Sequence, residues 1–162
     1  MNGAQIHLLT NHVPVLGVAF AAALTLAGVV RGSDELKKAG LWAFVLAALS
    51  ALPAYFTGEG AEHVVERLPD VTKGLIHDHE EAAEKALAGA LFLGAAALAA
   101  LIQAFRMKAH HPKAAPVLLA LSLPVLGILA YAAHLGGLVR HTELRSGAAT
   151  AAPAAEAEND KD

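Results

Sequence analysis

Cysteine is absent from the 162-residue chain. That removes disulfides, thiolate metal sites and the Cys-x-x-Cys-His attachment of a c-type haem, so any metal or haem must be held by histidine and carboxylate. Charge is missing over long distances as well: no Asp, Glu, Lys or Arg occurs in Val13–Val30, Ala39–Phe56, Ala86–Phe105 or Ala114–Val139. These runs therefore hold no embedded carboxylate to relay protons or bind a coupling cation, which argues against a secondary transporter. No nucleotide-binding glycine loop, nucleophile elbow or His-Glu-x-x-His motif occurs, so an ATPase, hydrolase or zinc protease has no motif behind it. No basic patch points to nucleic acid.

What the chain has is apolar length. Hydrophobic residues make up 56% of it, and the four uncharged runs are 18, 18, 20 and 26 residues long. Each covers roughly 27 Å or more at the α-helical rise. In lipid, helices are the open-chain way to satisfy the backbone, so four transmembrane helices are predicted. The turns Arg31–Lys38 and Arg106–Lys113 are short and charged, whereas Thr57–Lys85 is long and holds eight acidic residues, three basic ones and three histidines. The expected fold is an all-α integral membrane four-helix bundle of two antiparallel hairpins over 1–145. An Ala/Pro/Glu tail over 146–162 is expected to be disordered.

No Lys or Arg precedes the first run, so it reads as a retained anchor and not as a cleaved signal peptide. Ala86, Ala90 and Gly94 recur at intervals of four, a stripe of small residues suited to close helix packing. Gly58 and Gly60 are expected to break the second helix, and VPVLGV at Val13 resembles LPVLGI at Leu123, a short repeat given little weight. The density of basic residues in the two short turns places those turns in the cytoplasm and both termini outside a cell (inner) membrane.

Nine histidines remain to be explained. Seven (His7, His12, His63, His77, His79, His134 and His141) fall on the side of the termini, and His110 and His111 fall on the other. Counted from the basic turns, His12 and His134 lie at roughly 28 and 27 Å, and His141 and His79 at roughly 37 and 39 Å. A b-type haem needs two imidazoles at matched depth on facing helices, with small residues beside them, as Ala132, Ala133, Gly136 and Gly137 provide around His134. His12 with His134, and His79 with His141 or His63, are the candidate haem ligands. His134 reads equally well as an interhelical hydrogen-bonding residue, and His12 as a polar helix start.

Zinc, copper or iron held by His63, His77, His79 and His141 with neighbouring carboxylates is the alternative. For Asp78, Glu80 and Glu81 a solvated acidic helix start is the simpler reading. A di-iron bundle would need Glu-x-x-His pairs, and none is present.

His12-Val13-Pro14 opening the first span, Gly58 and Gly60 closing the second, His79 before alanines, and Gly136-Gly137-Leu138-Val139 with His141 form an ordered set. In these residues the chain resembles a family of small bacterial four-span membrane proteins known as domain of unknown function 2231. It departs from that pattern at Arg140 and Thr142. The resemblance implies the four-span fold over most of Leu9–His141 and no established reaction. Three functions stay open: a b-type haem electron carrier with a redox partner, a non-redox metal-binding protein, and an accessory subunit of a larger membrane complex. None is a stand-alone catalyst.

Overall fold

The computed structural model describes residues 3–108 and 111–145. The tail over 146–162 and His110 lie outside them. Among the described residues six helices form: α1 (Gly3–Thr10), α2 (Val13–Val30), α3 (Asp34–Phe56), α4 (Gly58–Val65), α5 (Lys73–Met107) and α6 (Ala114–Arg140), followed by a 3-10 turn at Thr142–Leu144. In the chain these make four membrane-length rods, Gly3–Val30, Asp34–Val65, Lys73–Met107 and Ala114–Arg140. At 35 residues, α5 is about 52 Å long and must project beyond a hydrocarbon layer of about 30 Å.

Local chemistry sets the helix ends. Gly32 at φ +65 closes α2, with Gly32 N–H donating to Val29 and Ser33 N–H donating to Gly28, the paired bonds of a glycine C-terminal cap. Ser33 then caps α3 by accepting from Leu36 N–H at 3.3 Å, with Asp34 and Glu35 in the first turn where the helix dipole favours them. Thr72 caps α5 in the same way through Leu75 N–H, 3.3 Å away. The helix therefore begins thirteen residues before the uncharged run. The break in the second rod falls at Thr57, whose hydroxyl donates back to Pro53 at 2.7 Å, and Gly58 and Gly60 lie inside α4. The interruption thus comes one residue before Gly58, and neither glycine ends a helix.

Helix α2 packs on α3, α3 on α5 and α5 on α6, and α6 closes the ring on α2 with the least extensive of the four interfaces. Neighbours run antiparallel: a Cβ on Gly28 would meet the Lys37 backbone, one on Gly40 would collide with Thr25, one on Gly17 would reach Ala47 at 2.9 Å, and one on Gly3 would reach Gly60 at 3.0 Å. The core is made of Val18, Ala21, Leu41, Phe44, Leu93, Ala97, Leu101 and Leu129, with alanines filling most other buried positions. The Ala86, Ala90 and Gly94 stripe is buried as expected, and Gly94 lets α5 close on Ala48 of α3. Two buried hydroxyls, Thr25 and Ser122, bond to Ala21 and Leu119 of their own helices at 2.8 and 2.7 Å, so neither costs an unpaired polar group. Leu16, Phe20, Leu46, Phe92, Phe105 and Leu123 face outward, as a lipid-contacting surface requires. The VPVLGV and LPVLGI segments fall on antiparallel helices, α2 and α6, so their likeness repeats no structural unit.

Candidate functional site

Seven histidines gather at the end of the bundle that carries the chain's termini, and the helices sort them by depth of burial. His79, on the inner side of α5, is half-buried. Its Nδ1 lies 3.0 Å from the carbonyl oxygen of Ala132 on α6. A carbonyl only accepts, so Nδ1 carries the proton and Nε2 holds the bare lone pair. Gly136 makes room for the ring: a Cβ there would stand 2.9 Å from His79 Cε1 and 3.3 Å from Nδ1. The glycine noted in the sequence as a small neighbour of His134 thus serves His79, one turn beyond the carbonyl that orients it.

A second ring is held the same way. His7 on α1 places Nδ1 2.9 Å from the carbonyl oxygen of Ala54 on α3, with the Thr57 hydroxyl 3.4 Å away. Ala54 lies in the last turn of α3, where carbonyls lack backbone helical donors, and its oxygen accepts from the Thr57 hydroxyl at 3.2 Å as well as from His7. Among the described residues no hydrogen bond engages Nε2 of either ring. His7 was not among the residues the sequence singled out as ligands, because it precedes the uncharged run and looked like part of a polar leader.

The other candidates lie on the outside. His12 sits at the start of α2, exposed, bonded through Nδ1 to the Asn11 side-chain carbonyl. His134 is exposed on α6, two residues and so about 200° round the helix from buried Ala132. The structure does not bring His12 and His134 together inside the bundle. His63 and His77 are exposed, and His141 is exposed and joined to Glu143 at 2.8 Å. The Glu143 carboxyl is held below its ordinary range by its own backbone N–H first and by His141 second.

The run His77-Asp78-His79-Glu80-Glu81 is split by helical phase. His79 turns inward while the other four side chains are exposed, with Glu81 paired to Lys85 at 2.7 Å. Among the described residues no three His, Asp or Glu side chains are placed to hold a metal ion together, so the set His63, His77, His79 and His141 is not assembled.

Arg145 is a further residue that no sequence pattern singles out. Its guanidinium donates to the Leu138 and Val139 carbonyls at 2.8 and 2.9 Å and to the Asp70 carbonyl, tying the end of α6 to the connection between the hairpins. Asp70 stands at φ +64, a left-handed conformation that turns its carbonyl toward this clasp. At the opposite end a cleft of about 170 Å³ is lined by Asp34, Lys37, Leu41, His111, Pro112, Ala114 and Ala115. Asp34 and Lys37 are ion-paired there at 3.0 Å.

A family model described as a predicted membrane protein, DUF2231, matches residues 3–144. No curated protein and no solved structure matches the chain.

Proposed function

Because the chain belongs to the DUF2231 family of predicted membrane proteins, whose description names no reaction, we propose a function from its own residues: a b-type haem protein that carries electrons at the extracytoplasmic face, with His79 as an axial ligand. The observation that carries this reading is the bond from His79 Nδ1–H to the Ala132 carbonyl. Histidines that ligate metals are held by such a bond from the other ring nitrogen, which fixes the tautomer, orients the plane and raises the basicity of Nε2.

The donor chemistry is that of an iron ligand: an imidazole whose Nδ1–H is held by a backbone carbonyl, with no competing thiolate in the chain. A bound haem would supply a one-electron ferric/ferrous couple. The chain's own part is to hold the His79 ring against α6 and to keep it half-buried at the end of the bundle. The basic turns Arg31–Lys38 and Arg106–Lys113 both lie at the other end, which supports an extracytoplasmic site. His12 and His134, being exposed, stand outside this arrangement.

The test is a dithionite-reduced minus air-oxidised spectrum of the full-length protein purified in detergent from haem-replete cells. A Soret peak and b-type α band are expected in the wild type, retained in His12→Ala and His134→Ala and lost or shifted in His79→Gln. A featureless wild-type spectrum overturns the reading.

A further inference from the structure

The two held imidazoles are not independent occurrences. Moving 72 residues along the chain carries His7 onto His79 and Gly17 onto Gly89. Moving 78 carries Ala54 onto Ala132, Gly58 onto Gly136, His63 onto His141 and Arg67 onto Arg145. The pattern Ala-x3-Gly-x4-His-x3-Arg therefore occurs twice, once at the end of each hairpin.

Contacts follow the same offsets. A Cβ on Gly17 would meet Ala47, and one on Gly89 would meet Val125, its counterpart. His7 bonds Ala54, and His79 bonds Ala132. Buried positions coincide too: Val18, Ala21 and Thr25 map onto buried Ala90, Leu93 and Ala97, and Phe44, Ala47 and Ala51 onto buried Ser122, Val125 and Leu129.

Coincident burial alone is weak, since any two helical hairpins agree at some shift of the 3.6-residue period. It gains force because the side-chain bonds, the glycine contacts and the His-x3-Arg ends all agree at one pair of offsets. The ring order α2, α3, α5, α6 fits as well: exchanging α2 with α5 and α3 with α6 carries the α3–α5 interface onto α6–α2. The change from 72 to 78 falls at the tip of the hairpin, half of it in the turn, which is three residues in the first hairpin and six in the second, and the rest in the helix ends that flank it.

We infer that the chain is two copies of one helical hairpin related by a pseudo-two-fold axis along the bundle, and that His7 and His79 are equivalent halves of one two-imidazole site for a metal centre. Both rings are half-buried at the same end of the bundle. Among the described residues neither Nε2 is engaged in a hydrogen bond, and each ring is oriented by a carbonyl on the other helix of its own hairpin. A metal centre bound through both Nε2 atoms is the ligand that uses both halves in the same way, whether the metal is haem iron or a bare ion. The inference rests on the haem reading only for the identity of the metal.

The experiment uses the full-length protein with His7→Gln and His79→Gln, since a glutamine amide can still donate to the helix carbonyl but cannot replace the imidazole lone pair. If the wild type carries haem, its ferric spectrum is expected to be six-coordinate and low-spin. Each variant then gives a high-spin form or loses haem. A His7→Gln protein that keeps the low-spin spectrum overturns the inference while leaving the haem reading intact.

If the wild type shows no Soret peak, the haem reading fails alone and Zn²⁺ titration calorimetry replaces the spectrum. One Zn²⁺ per chain is expected, weakened by roughly tenfold or more in both variants and unchanged in His12→Ala. Absence of Zn²⁺ binding, or a loss confined to one of the two variants, overturns the two-imidazole site.

Discussion

The hairpin of α1–α4 and the hairpin of α5–α6 each hold an imidazole against a helix carbonyl, but the first does so with broken helices and the second with continuous ones. In the first, Ala54 is in the last turn of α3, where its carbonyl accepts from two side chains, His7 and the Thr57 hydroxyl. In the second, Ala132 lies within α6, and His79 adds a donor to a carbonyl already in a helix. The space differs in the opposite sense. A Cβ on Gly58 would find His7 no nearer than 3.9 Å, whereas one on Gly136 would press on His79 at 2.9 Å. One arrangement can thus be reached with slack at the glycine and a carbonyl at a helix end, or with a tight glycine and a carbonyl within a helix.

Substitutions at matched positions test how deep this likeness goes. The largest effect is expected at Gly40, where a Cβ would collide with the Thr25 backbone and hydroxyl. Gly40→Ala should cost about 3 kcal/mol, near the upper end for overpacking, because backbone has to yield. Its counterpart Leu118 is buried and fills space instead, so Leu118→Ala should cost about 2 kcal/mol, the low end for such truncations because lipid removes much of the transfer contribution. Thermal unfolding in detergent reads both, and an unaffected Gly40→Ala protein would contradict the close α2–α3 crossing.

Next comes the pair Arg145 and Arg67. Arg145→Ala strips charge-assisted bonds from three carbonyls and should cost about 2 kcal/mol, while Arg67, exposed, should tolerate alanine within about 0.5 kcal/mol. Equal losses would mean that Arg67 makes a clasp of its own.

At the imidazoles, Gly136→Ala should cost about 1–2 kcal/mol by pushing His79 off Ala132, and Gly58→Ala should be near neutral. Reversal of that order would show that the slack lies at the other hairpin. The smallest effects belong to the caps. Ser33→Ala and Thr72→Ala should each cost about 1 kcal/mol or less, seen as a modest fall in unfolding temperature.

The four rods and their pairing were legible because lipid requires long uncharged helices and short turns force neighbours to be antiparallel. The Ala86, Ala90 and Gly94 stripe was legible for the same reason, its spacing naming its face. Which histidines point inward was not. Helix α6 is apolar on every side, so its sequence carries no contrast between lipid and bundle, and His134 could be assigned a depth but not a direction. His79 escaped full reading because its orienting partner is a backbone atom, Ala132 O, and backbone carbonyls leave no mark in side-chain identity. The internal duplication was hidden by composition and by the shift from 72 to 78, since alanine and leucine match by chance almost anywhere.

The alanine-rich core has one more consequence, for the entropy of assembly. Burying an alanine or glycine freezes no side-chain torsion, whereas a buried leucine or methionine gives up rotamer freedom worth about 0.5–2 kcal/mol. Where Ala21, Ala47, Ala90 and Ala97 are buried, the helices can dock almost without that cost. The same absence of torsions leaves no flexible group to absorb an added methyl, so the interfaces accept their partners readily and accept new side chains badly.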